Sequence, residues 1–174
     1  MYKAVLFLLL FLPVTAMAQK ALIEKSIDEK NGSVVYKGYF YFRDLYTEPT
    51  FDWMREGTDA YEPDQTVLKD LAPLLKRYTL LVFMGSWCGD SKELLPQLYS
   101  VLDKCRYPLA DIKIYGLDRA KTSGTGLEKS YGITNVPTII VLDGKKEKGR
   151  ITESVDNSME ADLLAIVKTS VHKK

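Results

Sequence analysis

The chain has 174 residues, with 24 Lys and Arg against 23 Asp and Glu, one His and two Cys. That is enough for one domain with a real core and too little for two, and a scattered net charge of +1 gives no electrostatic basis for binding nucleic acid or anionic lipid. Two Cys cannot staple a disulfide scaffold, and with a single His they make a poor zinc site, so no metal and no cofactor are expected.

The first residues are Met1-Tyr2-Lys3, then an apolar run from Ala4 to Val14, then small residues at Ala16 and Ala18. A basic start, a short apolar stretch and small residues before the break read as a secretory signal peptide over 1–18. A spanning helix needs roughly 20 apolar residues, more than this run supplies, so no membrane association is expected after cleavage. The chain is therefore expected to be exported, periplasmic or secreted, in a compartment where thiol chemistry has consequences.

Residues 19–63 read as an N-terminal extension packing on the core. Leu22 to Ile27 suits a strand, Asn31-Gly32 a turn, and Ser33 to Tyr36 with Gly38 to Phe42 extended structure rich in β-branched and aromatic residues. Tyr36, Tyr39, Phe40, Tyr41 and Phe42 are expected to pack rather than form a binding platform. Residues 44–63 carry two Pro, a Gly and several acids, and read as a long surface connection pinned by Phe51, Trp53 and Tyr61.

From residue 64 the pattern is regular. Asp64 can cap a helix carrying Val67, Leu68, Leu71, Leu74 and Leu75 at helical spacing. Thr79 to Met84 reads as a buried strand, about Cys88 to Lys104 as a helix, and Ile112 to Leu117 as a second strand. After a loop over 119–126, Leu127 to Tyr131 makes one or two helical turns. Thr138 to Leu142 is a third buried strand, turned by Asp143-Gly144 into Lys148 to Thr152. Ser158 caps a last helix, and His172 falls in a basic tail. This order predicts an α/β sheet layered by helices.

The chemistry is concentrated in Ser86-Trp87-Cys88-Gly89-Asp90-Ser91. Cys88 stands where a buried strand hands over to a helix, and the free N–H groups and positive dipole end of a helix start favour a thiolate. Gly89 lets another backbone approach the sulfur. Ser91, one turn on, can hydrogen-bond the thiolate, whereas the charge of Asp90 opposes it. Cys105 lies 17 residues on at the far end of the same helix, roughly 25 Å away at 1.5 Å per residue. That is far beyond the Cα separation a disulfide allows, so Cys105 reads as a buried bystander.

This segment resembles the thioredoxin family, whose signature is Trp-Cys-x-x-Cys at a strand-to-helix junction. Phe83 before Cys88, Pro96 within the helix, and Tyr131-Gly132-Ile133-Thr134-Asn135-Val136-Pro137-Thr138 match the family's pattern over roughly residues 64–170. The signal peptide and the Trp-Cys-Gly-Asp-Ser form are similar to exported thioredoxin-like proteins, especially of Bacteroidetes type. The resemblance implies a thioredoxin-like three-layer sandwich over 64–174, with a central mixed sheet flanked by helices. It also implies a cis bond before Pro137 facing Cys88, and a groove in which Trp87, Gly89, Asp90, Val136 and Pro137 hold an extended substrate. Two departures matter. Ser91 stands where the family has its second Cys, and Val82 where it has a buried acid, so no complete dithiol cycle is expected within the motif.

The resemblance thus implies a monothiol thiol–disulfide oxidoreductase. Cys88 would act on client proteins bearing disulfides or thiols, with resolution by a small-molecule thiol or a partner's cysteine. The competing reading is a non-catalytic binding module for an extended peptide or client protein. A comparison with the Cys-Gly-Phe-Ser of monothiol glutaredoxins fails at the third residue. Arg150 and Glu153 are candidates for the rim beside Pro137 or for ordinary surface.

Overall fold

A computed structural model describes residues 22–169; the expected signal segment and His172 lie outside them. Strands β1 (Leu22–Ile27) and β2 (Val34–Phe40) form an antiparallel hairpin. Helices α1 (Phe42–Thr47), α2 (Asp52–Ala60) and α3 (Gln65–Leu75) follow. Then come β3 (Thr79–Met84), α4 (Gly89–Lys104), β4 (Lys113–Gly116), α5 (Leu127–Ser130), β5 (Thr138–Asp143), β6 (Lys146–Thr152) and α6 (Met159–Lys168). The sheet order is β1-β2-β4-β3-β5-β6, with β3 and β4 parallel and the other neighbours antiparallel. Such a mixed sheet needs one long crossover, which α4 supplies between β3 and β4.

Alternation along β3 divides the core. Leu80, Val82 and Met84 point into the larger cluster with Leu71, Leu98 and Leu163 from α3, α4 and α6. Leu81 and Phe83 point the other way, into a smaller cluster with Leu117, Ile133, Val136 and Ile140, against which Trp87 and Cys88 pack. Val82, at the position of the family's acid, is fully buried among apolar side chains. Helix caps fall as expected: the Asp64 carboxylate accepts from the N–H groups of Thr66 and Val67, and the Ser158 hydroxyl accepts from Ala161 N–H.

Two expectations fail in the leading segment. The extended stretch stops at Phe40: Tyr41 is an N-cap whose N–H is held by the Asp44 carboxylate at 2.9 Å, and Phe42 opens α1. Residues 44–63 are not a surface connection, because α1 and α2 bury Phe42, Leu45, Phe51 and Met54 in the larger core. Gly57, a breaker by composition, lies inside α2. A glycine costs a helix about 1 kcal/mol relative to alanine, but a Cβ here would lie 2.8 Å from the Pro96 ring, so its absence lets α2 lie against α4. Pro96 is accommodated inside α4 and is buried.

Candidate active site

The register brings four loops to one end of the sheet. Met84 pairs with Gly116, so the loops leaving β3 and β4 run side by side; Phe83 pairs with Thr138, which places the 131–137 loop opposite them. The turn of the β1–β2 hairpin reaches the same end.

Cys88 is the N-cap of α4, half-buried, with its N–H donating to Gly85 C=O and its C=O accepting from Lys92 N–H. Its Sγ–H donates to the Val136 carbonyl at 3.3 Å, and the Val136–Pro137 peptide is cis. Asp90 is exposed in the first turn, with a carboxylate oxygen 3.9 Å from the sulfur, at the outer limit of a thiol hydrogen bond. Gly89 is exposed, and no atom lies within 4 Å of where its Cβ would be, leaving space open beside the sulfur. The structure therefore brings Cys88, Gly89, Asp90, Val136 and Pro137 together.

Ser91 differs from expectation. Its hydroxyl is fully buried and accepts from Gly85 N–H at 3.1 Å, and it makes no hydrogen bond to Cys88. The cause is geometric: the strand-to-helix turn leaves Gly85 N–H without a ladder partner, and an inward hydroxyl satisfies it. Ser91 shapes the turn instead of solvating the sulfur. Cys105 is the C-cap of α4, also a free thiol, and burial pushes it up to about 11. Neither rim candidate is an idle surface group. Glu153 donates its N–H to Pro137 C=O and accepts from Asn135 Nδ2 at 2.6 Å, and Arg150 pairs with Glu147 and donates to Tyr131 C=O.

Trp87 forms one wall. Its indole N–H donates to Leu117 C=O at 2.8 Å, and the ring lies so close over Gly85 that a Cβ there would sit 2.8 Å from Cε2. The wall is completed by residues that the sequence did not single out. Arg119 and Lys121, from the loop after β4, place their cationic groups 4.6 and 4.5 Å from the Trp87 ring centre. Asp28, buried at the end of β1, takes both Nε–H (2.6 Å) and Nη2–H (2.9 Å) of Arg119. That pairing holds the Asp28 carboxyl below its ordinary range. Asn31 Nδ2 donates to Trp87 C=O at 3.1 Å, Lys92 reaches the Ser33 hydroxyl, and Ser86 Oγ bridges Val34 C=O and Tyr36 N–H. Asp28 and Arg119 are 91 residues apart, so no spacing rule linked them. The Asn31-Gly32 turn beside Asp28 was the only local signal.

No group of three His, Cys, Asp or Glu side chains converges among the described residues, and no described helix is long and apolar enough to cross a membrane. A separate apolar cleft of about 550 Å³, lined by Tyr41, Phe42, Tyr46 and Tyr99, shares no residue with the Cys88 site.

Residues 63–169 match the sequence model of the Thioredoxin family. The chain belongs to the thioredoxin family. Over 100 residues it is 30% identical to a protein disulfide-isomerase, erp38, of Neurospora crassa, covering 54% of this chain and 25% of that one. The chain thus spans a quarter of the length of that relative. Among solved structures, an HIV 4E10 epitope-scaffold aligns with 73% of this chain and 91% of its own, at 17% identity and a TM-score of 0.51, a likeness of fold alone. A protein of unknown function from Pseudomonas aeruginosa aligns with 72% of this chain and 83% of its own, at 17% identity and a TM-score of 0.48.

Proposed function

We propose that this thioredoxin-family protein is a monothiol thiol–disulfide oxidoreductase of an exported compartment, acting through Cys88. The observation that carries the reading is the pairing of a half-buried thiol at a helix start with an inward-turned Ser91. The likeness to a protein disulfide-isomerase supports the same class of chemistry.

In the exchange, the Cys88 thiolate attacks one sulfur of a client disulfide. The client's S–S bond breaks, a Cys88–client bond forms, and the second client sulfur leaves as a thiolate. Deprotonation frees the sulfur from its hydrogen bond to Val136 C=O. The client backbone would lie along Val136 and Pro137, with Trp87 as the opposite wall and the open space at Gly89 admitting its sulfur. Ser91 cannot attack the mixed disulfide, so a small thiol or a partner's cysteine completes the reaction.

The test is trapping of client proteins by the mature chain without reductant, comparing wild type with Cys88→Ala. Disulfide-linked adducts that vanish in the variant are expected. Equal recovery of the same clients from both, without a disulfide link, would make the protein a binding module instead.

A further inference from the structure

The mixed disulfide can be resolved only by a thiol from outside, which must pass the groups walling Cys88. Those groups differ in charge balance. The Arg119 charge is met by both oxygens of Asp28, and Lys37 in the neighbouring strand is met by Asp118 at 2.8 Å. Lys92 has no carboxylate within ion-pair distance among the described residues, but its ammonium is turned to the hairpin, donating to the Ser33 hydroxyl at 3.2 Å. Lys121 has no carboxylate within ion-pair distance among the described residues; its ammonium rests on the Trp87 ring, on the residue next to the nucleophile.

The backbone holds Lys121 there against its own preference. Its φ is 59°, in the left-handed region that a residue with a Cβ rarely adopts. Asp118 enforces it: its C=O accepts from Lys121 N–H at 2.9 Å and its carboxylate accepts from Thr122 N–H at 3.0 Å. A strained loop that places a half-buried cation with no carboxylate partner on the Trp87 wall of the Cys88 site points to a ligand bearing negative charge. The opposing charge near the sulfur is Asp90, which lies on the helix side and faces solvent.

Resting on the thiol-exchange reading above, we propose that Lys121 is a specificity-determining residue that selects a small carboxylate-bearing thiol as the resolving partner. The small thiolate attacks the Cys88 sulfur, the Cys88–client bond breaks, and the client leaves as a thiolate that takes a proton from solvent. A second equivalent attacks the small thiol's sulfur and releases Cys88 as a thiolate. Two small thiols are oxidised to their disulfide while the Cys88–client disulfide is reduced.

The test needs no client. Cys88 is loaded with 2,2'-dithiodipyridine, and release of thiopyridone is timed with 3-mercaptopropionate, 2-mercaptoethanol and cysteamine. Wild type is compared with Lys121→Gln and Lys121→Glu at low and high salt. For each thiol the ratio of wild-type to variant rate cancels its intrinsic reactivity and the constant influence of Asp90. Against Lys121→Gln, a solvent-accessible charge pair predicts a ratio of roughly two to five for the anionic thiol, unity for the neutral one and less than unity for the cationic one. Lys121→Glu should widen the spread, and salt should close it. Equal ratios for all three thiols overturn the proposal. Absence of Cys88-dependent client adducts in wild type would instead overturn the thiol-exchange reading, leaving this measurement unaffected.

Discussion

Ser86→Ala should uncouple the N-terminal hairpin from the site. Strand β2 has β4 beside it only from Gly38 to Phe40, so Val34 to Tyr36 lack a strand on that side. The Ser86 hydroxyl takes the place of the missing strand, accepting Tyr36 N–H at 2.9 Å and donating to Val34 C=O at 2.8 Å. The side chain is fully buried, and alanine fills nearly the same space, so cavity formation adds little. Leaving the Tyr36 N–H unpaired costs about 1–3 kcal/mol and losing the bond to Val34 about 1 kcal/mol more, for a total of roughly 2–4 kcal/mol. In a domain of this size that lowers the melting midpoint by roughly 5–15 °C. Urea unfolding at neutral pH measures the loss, and hydrogen exchange should show it concentrated in β1 and β2. A loss below about 0.5 kcal/mol, the scale of an unremarkable surface change, would refute the idea that this hydroxyl seals the hairpin to the site.

Gly85→Ala should tilt Trp87, because the new Cβ meets Cε2 at 2.8 Å; indole fluorescence in a Trp53→Phe background and a slower Cys88 exchange rate would report it, with about 1–3 kcal/mol of stability lost to overpacking. Glu48, bonded to Lys25 and Tyr36, is lowered to about 2 from 4.5. Its contribution is therefore complete above pH 4.5 and drains away as the pH falls towards 2. Because Lys25 is 56% exposed, the contribution is about 1–2 kcal/mol rather than the full shift. Glu48→Gln should flatten the acid limb of the stability curve in that window. Cys105, raised to about 11 from 9.0, contributes stability that is present below pH 9 and lost as the pH climbs towards 11. A chromogenic disulfide should titrate one thiol in the folded protein at pH 8 and two in denaturant, and Cys88→Ser should leave none in the folded form.

Strands β3 and β5 are readable because each is a short apolar run between turn signals, β6 because the Asp143-Gly144 turn precedes it, and α3 and α6 because each carries a side-chain cap. Asp64 and Ser158 are local features, and local features survive translation into three dimensions. Phe42 to Ala60 is not readable as helix, since Pro49, Gly57, Pro63 and several acids give residues 44–63 the composition of a surface connection. Only the contact with Pro96 explains why a glycine belongs there. Ser91 was placed on the correct turn but given the wrong partner. Sequence identified a hydroxyl near Cys88, and only the backbone shows that Gly85 N–H has the stronger claim on it.

The same distinction decides how the site should be thought of. The family match begins at residue 63, but the wall beside Cys88 is held from outside that segment, by Asp28, Asn31 and Ser33. A truncation at residue 63 would remove the carboxylate that balances Arg119 and expose the edge that Ser86 seals. Arg119 would then stand beside Lys121 as a second unbalanced cation on Trp87. The leading hairpin is therefore a part of the site that sets its charge. On the monothiol reading proposed above, in which Ser91 cannot resolve the mixed disulfide, the choice of an external thiol would fall to that charge and to the groove at Pro137.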